Sequence, residues 1–94
     1  MNIEAVIWLR YVVEKLARKH RVETIEVEEA LNNNPKLRFA ESGNRAGEDV
    51  YLALGQTDAG RYLAVLFIYK RTKEALILSA RDMAAKERRL YGKK

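Results

Sequence analysis

The stretch Tyr62-Leu63-Ala64-Val65-Leu66-Phe67-Ile68-Tyr69 decides the fold, because it is the longest apolar run in the chain. Eight apolar or aromatic residues without a break are typical of a strand that is buried on both faces. We therefore expect residues 62–69 to form the central strand of a sheet.

Shorter strand patterns lie on both sides of this run. Residues 36–40 alternate in polarity, Val50, Leu52 and Leu54 line one face of the next strand, and residues 75–79 form the last strand. The connections are short, and short connections join antiparallel neighbours. The sequence thus predicts a four-stranded antiparallel meander.

Helices are expected before and after this sheet. Apolar residues at three- and four-residue spacing predict a helix from residue 3 to about residue 20. Thr24 can cap a second helix over residues 25–31, which Pro35 and the three asparagines before it bring to an end. With a closing C-terminal helix, the fold class is α+β, with two N-terminal helices.

The C-terminal helix is expected to begin at a capping box. Ser79 and Asp82 have the S-x-x-D spacing of that motif, which would place Arg81 in the first helical turn. Arg88, seven positions later, would return to the same face, and Tyr91 would follow three residues on. The pattern predicts a strip of Arg81, Arg88 and Tyr91 beside the sheet.

Composition limits the chemistry that is available. Ninety-four residues without cysteine form one domain, residues 1–94, and cannot use disulfides, thiolate catalysis or Cys-based zinc sites. With a single histidine, we expect neither a metal site nor another cofactor. No stretch is apolar enough to be a targeting or membrane segment, and we expect a cytoplasmic protein without a membrane partner.

Charge is concentrated at the C-terminal end. Residues 70–94 hold nine Lys or Arg and three acids, and nine less three gives this segment a net charge of +6. The whole chain has a net charge of +5, so the rest of the chain is slightly acidic. A positive field of this kind suits nucleic acid or an acidic protein partner, although a solvated helix face is the plainer explanation of a charge run.

Several short motifs follow one another along the chain: Lys19-His20-x-Val22, Glu28-Glu29-Ala30, Pro35, Gly47-Glu48, Leu52-Ala53-Leu54-Gly55, Gly60-Arg61-Tyr62-Leu63, Leu78-Ser79-Ala80-Arg81 and Lys86-Glu87-Arg88-Arg89-x-Tyr91. In their order and spacing they resemble the BrnT-type toxins of bacterial toxin-antitoxin pairs, which are small ribonucleases with a fold related to the RelE toxins.

The resemblance implies a metal-independent cut of messenger RNA that arrests translation, and a small DNA-binding antitoxin as the silencing partner. It also allows a homodimer or a hetero-oligomer with that antitoxin. For this chemistry we expect Arg81 and Arg88 to hold the phosphate and Tyr91, His20 and Glu48 to be candidates for proton transfer. Further RNA contacts are expected from Lys19, Arg61, Lys70 and Arg89.

The chain departs from the family pattern at three positions. Where members usually carry arginine in the second and last strands, this chain has Val50 and Leu76, and Leu9 replaces the usual aspartate after Trp8. Loss of two strand arginines removes part of a phosphate clamp. Two other functions therefore stay open: a nucleic-acid-binding module without catalysis, and an adaptor whose basic surface holds an acidic protein.

Overall fold

The computed structural model describes residues 1–93. Within this part of the chain, five strands form one mixed sheet on which three α-helices pack. The elements are β1 Ala5–Ile7, α1 Arg10–Lys15, a π-helical segment Leu16–His20, α2 Thr24–Asn32, β2 Lys36–Glu41, β3 Val50–Gln56, β4 Tyr62–Tyr69, β5 Glu74–Asp82 and α3 Ala85–Gly92.

The strand order is β1-β5-β4-β3-β2, so β4 is the central strand, as the apolar run predicts. Strands β2 to β5 form the expected antiparallel meander. The expectation of four strands is wrong, because β1 adds a fifth, which runs parallel to β5.

The first helix is shorter than its periodicity predicts. Residues 5–7 form β1, and α1 begins only at Arg10. Here a non-local interaction overrides the helical spacing, since β1 pairs with the otherwise unpaired edge of β5. Leu9 occupies the N-cap position of α1 and makes no side-chain hydrogen bond to the helix.

Helix α2 packs very closely on β3. Its N-cap is Glu23 rather than the expected Thr24, and the backbone N–H of Glu23 donates to the Glu26 carboxylate over 3.0 Å. A Cβ atom added to Gly55 would lie 2.3 Å from the carbonyl oxygen of Ala30. Glycine at position 55 is therefore what lets the helix approach the strand.

The predicted capping box of Ser79 and Asp82 is wrong. Both residues belong to β5, where Asp82 pairs with Leu63 of β4. Because β4 offers partners as far as Tyr62, whose carbonyl accepts the N–H of Met83 over 3.0 Å, the strand continues three residues beyond its expected end. Arg81 therefore lies on a strand, and α3 begins at Ala85.

The two faces of the sheet differ. On the covered face, α1, the π-helical segment and α2 pack on side chains such as Val65, Phe67 and Ile77. On the opposite, open face, α3 contacts Leu54, Ala64 and Met83 through Leu90 and Tyr91. The expected burial of β4 on both faces is wrong for Leu66 and Ile68, which point to the open face and stay partly exposed.

Candidate nucleic-acid interface

The start of β4 and the end of β5 meet at one end of the sheet, which we call the α3 end because α3 lies there. It brings together four residues on or beside the open face: Tyr62 on β4, Arg81 on β5, and Arg88 and Tyr91 on α3. Three of these are the expected strip of Arg81, Arg88 and Tyr91. The strip is built from a strand and a helix rather than from one helix.

At this end Arg88 stacks on one aromatic ring, and a second ring meets the first edge-on. The guanidinium carbon of Arg88 lies 4.1 Å from the centroid of the Tyr62 ring, and the Tyr91 ring meets Tyr62 edge-on with centroids 5.9 Å apart. Stacking on an aromatic face fixes the plane of the guanidinium group while leaving its N–H donors free for a phosphate. Aromatic rings at the same place can also stack against nucleobases.

Arg81 is held by a carboxylate from α3. Its two terminal nitrogens donate to the two oxygens of Glu87 over 2.6 and 2.8 Å. Glu87 also accepts the N–H of Ala84 over 2.8 Å, so the same carboxylate caps α3. The hydrogen bond from Arg81 lowers the pKa of Glu87 and raises that of Arg81. A phosphate that is to be held by the same two nitrogens must therefore displace Glu87.

Arg61 has its donors occupied by structural partners. Its guanidinium group donates to both oxygens of Asp82 over 2.7 and 3.2 Å and to Glu26 over 3.2 Å. It also donates to the carbonyl oxygens of His20 and Arg21, over 3.0 and 2.8 Å, where the first helical region ends. Every N–H of the group therefore has an acceptor. We assign Arg61 a structural role in place of the expected RNA contact.

His20 and Lys19 lie at the α3 end but on the side of the covered face, where the π-helical segment ends. His20 is partly exposed and close to Asp82. The pKa of Asp82 is lowered chiefly by its hydrogen bond from Arg61, with a smaller contribution from the charge of His20. Lys19 is exposed beside His20. The fold thus brings His20 to the same end as Arg88.

Glu48 and Lys70 lie at the opposite end of the sheet. Glu48 precedes β3 and Lys70 follows β4, whereas Tyr62 starts β4. Seven residues of strand, roughly 23 Å, separate the two ends. These two residues therefore do not join Arg81, Arg88 and Tyr91. Arg89 is on α3 and exposed.

The two positions that lack the usual arginines are neighbours across the sheet. Val50 pairs with Ile68, and Ile68 pairs with Leu76, so that both lie on the open face in one row. Arginines at these positions would flank the middle strand on the face that carries Arg81. In this chain the row is aliphatic, and Arg81 and Arg88 lie at the α3 end.

Sequence reasoning missed Tyr62 and Glu87 as parts of the site. Tyr62 follows Gly60-Arg61 in a motif of the resemblance, but only the fold shows that its ring lies under Arg88. Glu87 could be recognised as a first-turn acid once the start of α3 is known. Its pairing with Arg81 depends on the extension of β5, which no local signal predicts.

The described part of the chain was searched for a metal site and for a membrane-spanning helix, and it contains neither. Residues 1–93 contain no group of three or more His, Cys, Asp or Glu side chains arranged to hold a metal ion. Their helices also lack the combination of length and apolar character that crossing a bilayer requires.

The chain was compared with curated proteins, solved structures and protein families. No curated protein matches the chain. Among solved structures, the Brucella abortus ribonuclease toxin, BrnT, is similar at a TM-score of 0.62 and 18% sequence identity, over 85% of this chain and 96% of that chain. This likeness shows a common fold.

The sequence comparison with protein families is more specific. The family described as the ribonuclease toxin, BrnT, of type II toxin-antitoxin systems matches residues 13–87, which run from α1 into α3. The match therefore includes α2, the whole of β2 to β5, and the pair of Arg81 and Glu87. The chain belongs to the BrnT family of ribonuclease toxins of type II toxin-antitoxin systems.

Proposed function

We propose that this toxin cuts messenger RNA at the α3 end of its sheet without a metal ion, and thereby arrests translation. The observation that carries the proposal is the stack of Arg88 on Tyr62 beside Tyr91. It puts an oriented cation, two aromatic rings and phenolic hydroxyls within one small surface. Those are the groups that a phosphodiester and its flanking bases require.

In the proposed reaction the ribose 2′-hydroxyl attacks the adjacent phosphorus, and the bond to the 5′-oxygen of the next nucleotide breaks. The products are a 2′,3′-cyclic phosphate and a free 5′-hydroxyl. The attacking hydroxyl loses its proton, and the leaving oxygen gains one. Arg88 donates to the phosphate oxygens as negative charge builds on them. Arg81 adds a second guanidinium when the phosphate replaces Glu87.

Two carboxyls at this end are unsuited to proton transfer. Glu87 and Asp82 are poor bases, because hydrogen bonds from arginine lower the pKa of both carboxyls. Tyr91 lies on α3 one turn from Arg88, and His20 lies at the same end of the sheet. We propose these two as the proton-transfer pair, with Lys19 and Arg89 attracting the RNA backbone.

The proposal gives no substrate contact to Arg61, whose donors are engaged, or to Glu48 and Lys70, which lie at the far end. Residues 1–94 are proposed to act as one domain, since both core clusters share the same sheet. The cognate antitoxin is the proposed silencing partner, and either a homodimer or a complex with the antitoxin fits a toxin of this size.

A second function, RNA binding without cleavage, is favoured by one observation. Val50 and Leu76 leave the open face without the two arginines that the family usually places there. Under this hypothesis the protein retains RNA in a salt-dependent manner and produces no new ends.

The deciding experiment incubates purified protein with single-stranded RNA in excess chelator and maps the new termini. We expect cleavage by the unaltered chain, a loss of about 100-fold with Arg88→Ala, and partial recovery with Arg88→Lys. Arg10→Ala, at an exposed arginine that begins α1, is the matched control and should cleave normally.

The alternatives predict different results. Intact RNA that is nevertheless retained by the unaltered chain would favour binding alone. Equal cleavage by the unaltered chain and Arg88→Ala would remove Arg88 from the site, and cleavage that disappears in chelator would contradict a metal-free reaction.

A further inference from the structure

The part of the open face that α3 leaves uncovered is aliphatic across four strands. Ile7 of β1 is level with Leu76 of β5, Leu76 with Ile68 of β4, and Ile68 with Val50 of β3. One step toward α3, Leu66 of β4 pairs with Leu52 of β3. We call these six side chains the aliphatic rows.

Part of the aliphatic rows lacks cover from the rest of the described chain, although Val50 is buried and Leu52 packs against the cluster beneath α3. Leu66, Ile68 and Leu76 are partly exposed and belong to neither core cluster. A sheet face that meets water usually carries polar side chains, and a contiguous aliphatic patch on a small protein marks a surface for a partner.

The edges of the aliphatic rows carry opposite charges. Toward α3, exposed Arg38 pairs with Leu52 on the edge strand, and Arg81 follows on β5. At the other end, Glu41 and Glu48 line a shallow hollow together with Val50 and Ile68, and acids there outweigh the nearby Lys70. A partner that fits this surface has an apolar strip with acidic residues toward α3.

We propose that the aliphatic rows are the docking surface for an amphipathic, acidic segment of the antitoxin. The inference rests on the proposed function in that the same segment would reach Arg81 and Arg88 and so cover the RNA site. RNA is a poor occupant of the rows themselves, because aliphatic side chains at positions 50 and 76 offer nothing to a phosphate. The apolar strip supplies affinity and the charged ends set the direction of the segment.

The test measures the affinity of the purified toxin for its cognate antitoxin in the absence of RNA. Leu66→Gln and Leu76→Gln should each raise Kd by roughly ten- to a hundredfold, because each removes one buried aliphatic contact. Ile25→Gln is the matched control, since Ile25 is an exposed aliphatic residue on α2, away from the open face. It should change Kd less than about twofold. Melting curves verify that each variant is folded.

Charge reversal tests the direction of the segment. Arg38→Glu should weaken binding more at low salt than at high salt, because it places an acid opposite the acidic part of the antitoxin. Equal weakening at both salt concentrations would contradict the proposed orientation.

Several results would overturn the proposal. Unchanged antitoxin affinity in both leucine variants would do so. If RNA binding fell in these variants instead, the rows would be assigned to RNA. If a dimer dissociated instead, they would be assigned to a second copy of the chain. RNA cleavage is measured separately on the free toxin. A chain that binds its antitoxin through the rows but cuts no RNA would refute the proposed function alone.

Discussion

Two arginines with bidentate carboxylate partners have different tasks in this molecule. The side chain of Arg61 is 27% exposed and joins β5, α2 and the end of the first helical region. That of Arg81 is 46% exposed and joins a strand end to the first turn of α3. Three elements depend on Arg61, whereas the pair of Arg81 and Glu87 joins only two and its arginine is the more exposed of the two, so Arg81 contributes less to stability.

Arg61→Ala should lower the free energy of unfolding by about 2 to 3 kcal/mol, because it removes several charge-assisted hydrogen bonds and leaves carbonyl oxygens at a helix end without donors. Urea denaturation followed by circular dichroism measures the change. Arg81→Ala, the matched variant, should cost less than about 1 kcal/mol. Equal costs for the two variants would contradict the structural role of Arg61.

Stability should depend on acidity through Asp82 and Glu87. Their pKa values are lower in the folded chain than in the unfolded one, because Arg61 and Arg81 donate to them. A carboxyl of this kind contributes its full stabilisation above its unfolded pKa and loses it as the pH falls through the folded pKa.

We therefore expect the free energy of unfolding to fall as the pH is lowered from about 5 to 3, and to fall less steeply in the variant with Asp82→Asn and Glu87→Gln. Urea titrations at several pH values test this. Parallel pH profiles for the two proteins would show that these two carboxyls are not responsible.

For single residues, the sequence indicates which side chains could bind a phosphate, but it indicates less well which groups those side chains contact. Arg88 and Tyr91 are placed together by helical periodicity, and the structure keeps them on one helix. Arg61 could not be recognised as structural, because its partners lie 20 or more residues away along the chain. Charge alone therefore makes engaged and free cations look alike.

Among the described helices, α3 is the one without a buried side chain. None of its residues is fully buried, and it is held by Leu90 and Tyr91, by Glu87, and by Lys36, whose ammonium donates to the carbonyl of Leu90 over 2.8 Å. The proposed RNA site thus includes a helix that local opening can release, as lids and binding segments commonly do.

Hydrogen exchange should show this directly. Amides of α3 are expected to exchange faster than those of central β4, and Glu87→Ala should speed exchange in α3 further while leaving β4 unchanged, since it removes both the cap and the pair with Arg81. Mass spectrometry of peptic fragments resolves the two elements. Equal protection of α3 and β4 would mean that α3 is part of the rigid core.

Strands and helices are predictable from the sequence when the residues that interact are close to one another along the chain. The meander of β2 to β5 is predictable because each strand pairs with its neighbour in sequence. Strand β1 and the last residues of β5 escape prediction for the opposite reason. Residues 5–7 find their partner about 70 positions away, and residues 80–82 remain extended because β4 continues to pair with them.

For the molecule as a whole, the sheet has two edges that protect it from pairing with other sheets. β2 carries Lys36 and Arg38 and contains an irregularity between Phe39 and Glu41. β1 has only three residues but shields one side of the nine-residue β5. Short or irregular charged strands at an edge oppose further strand addition, whereas a long apolar strand invites it.

Removal of residues 1–8 should therefore destabilise the toxin and make it self-associate. The deletion exposes the backbone of β5, removes Ile3, Val6 and Trp8 from the covered face, and breaks the hydrogen bond from Trp8 to Glu28 of 2.9 Å. We expect a lower melting temperature and sedimentation that depends on concentration. A deletion of Gly92 and the residues after it is the matched control, because it leaves all five strands in place and, among the described side-chain hydrogen bonds, removes that from Lys36 to the carbonyl of Lys93. If the N-terminal deletion remained monomeric with an unchanged melting temperature, β1 would not be the element that protects this edge.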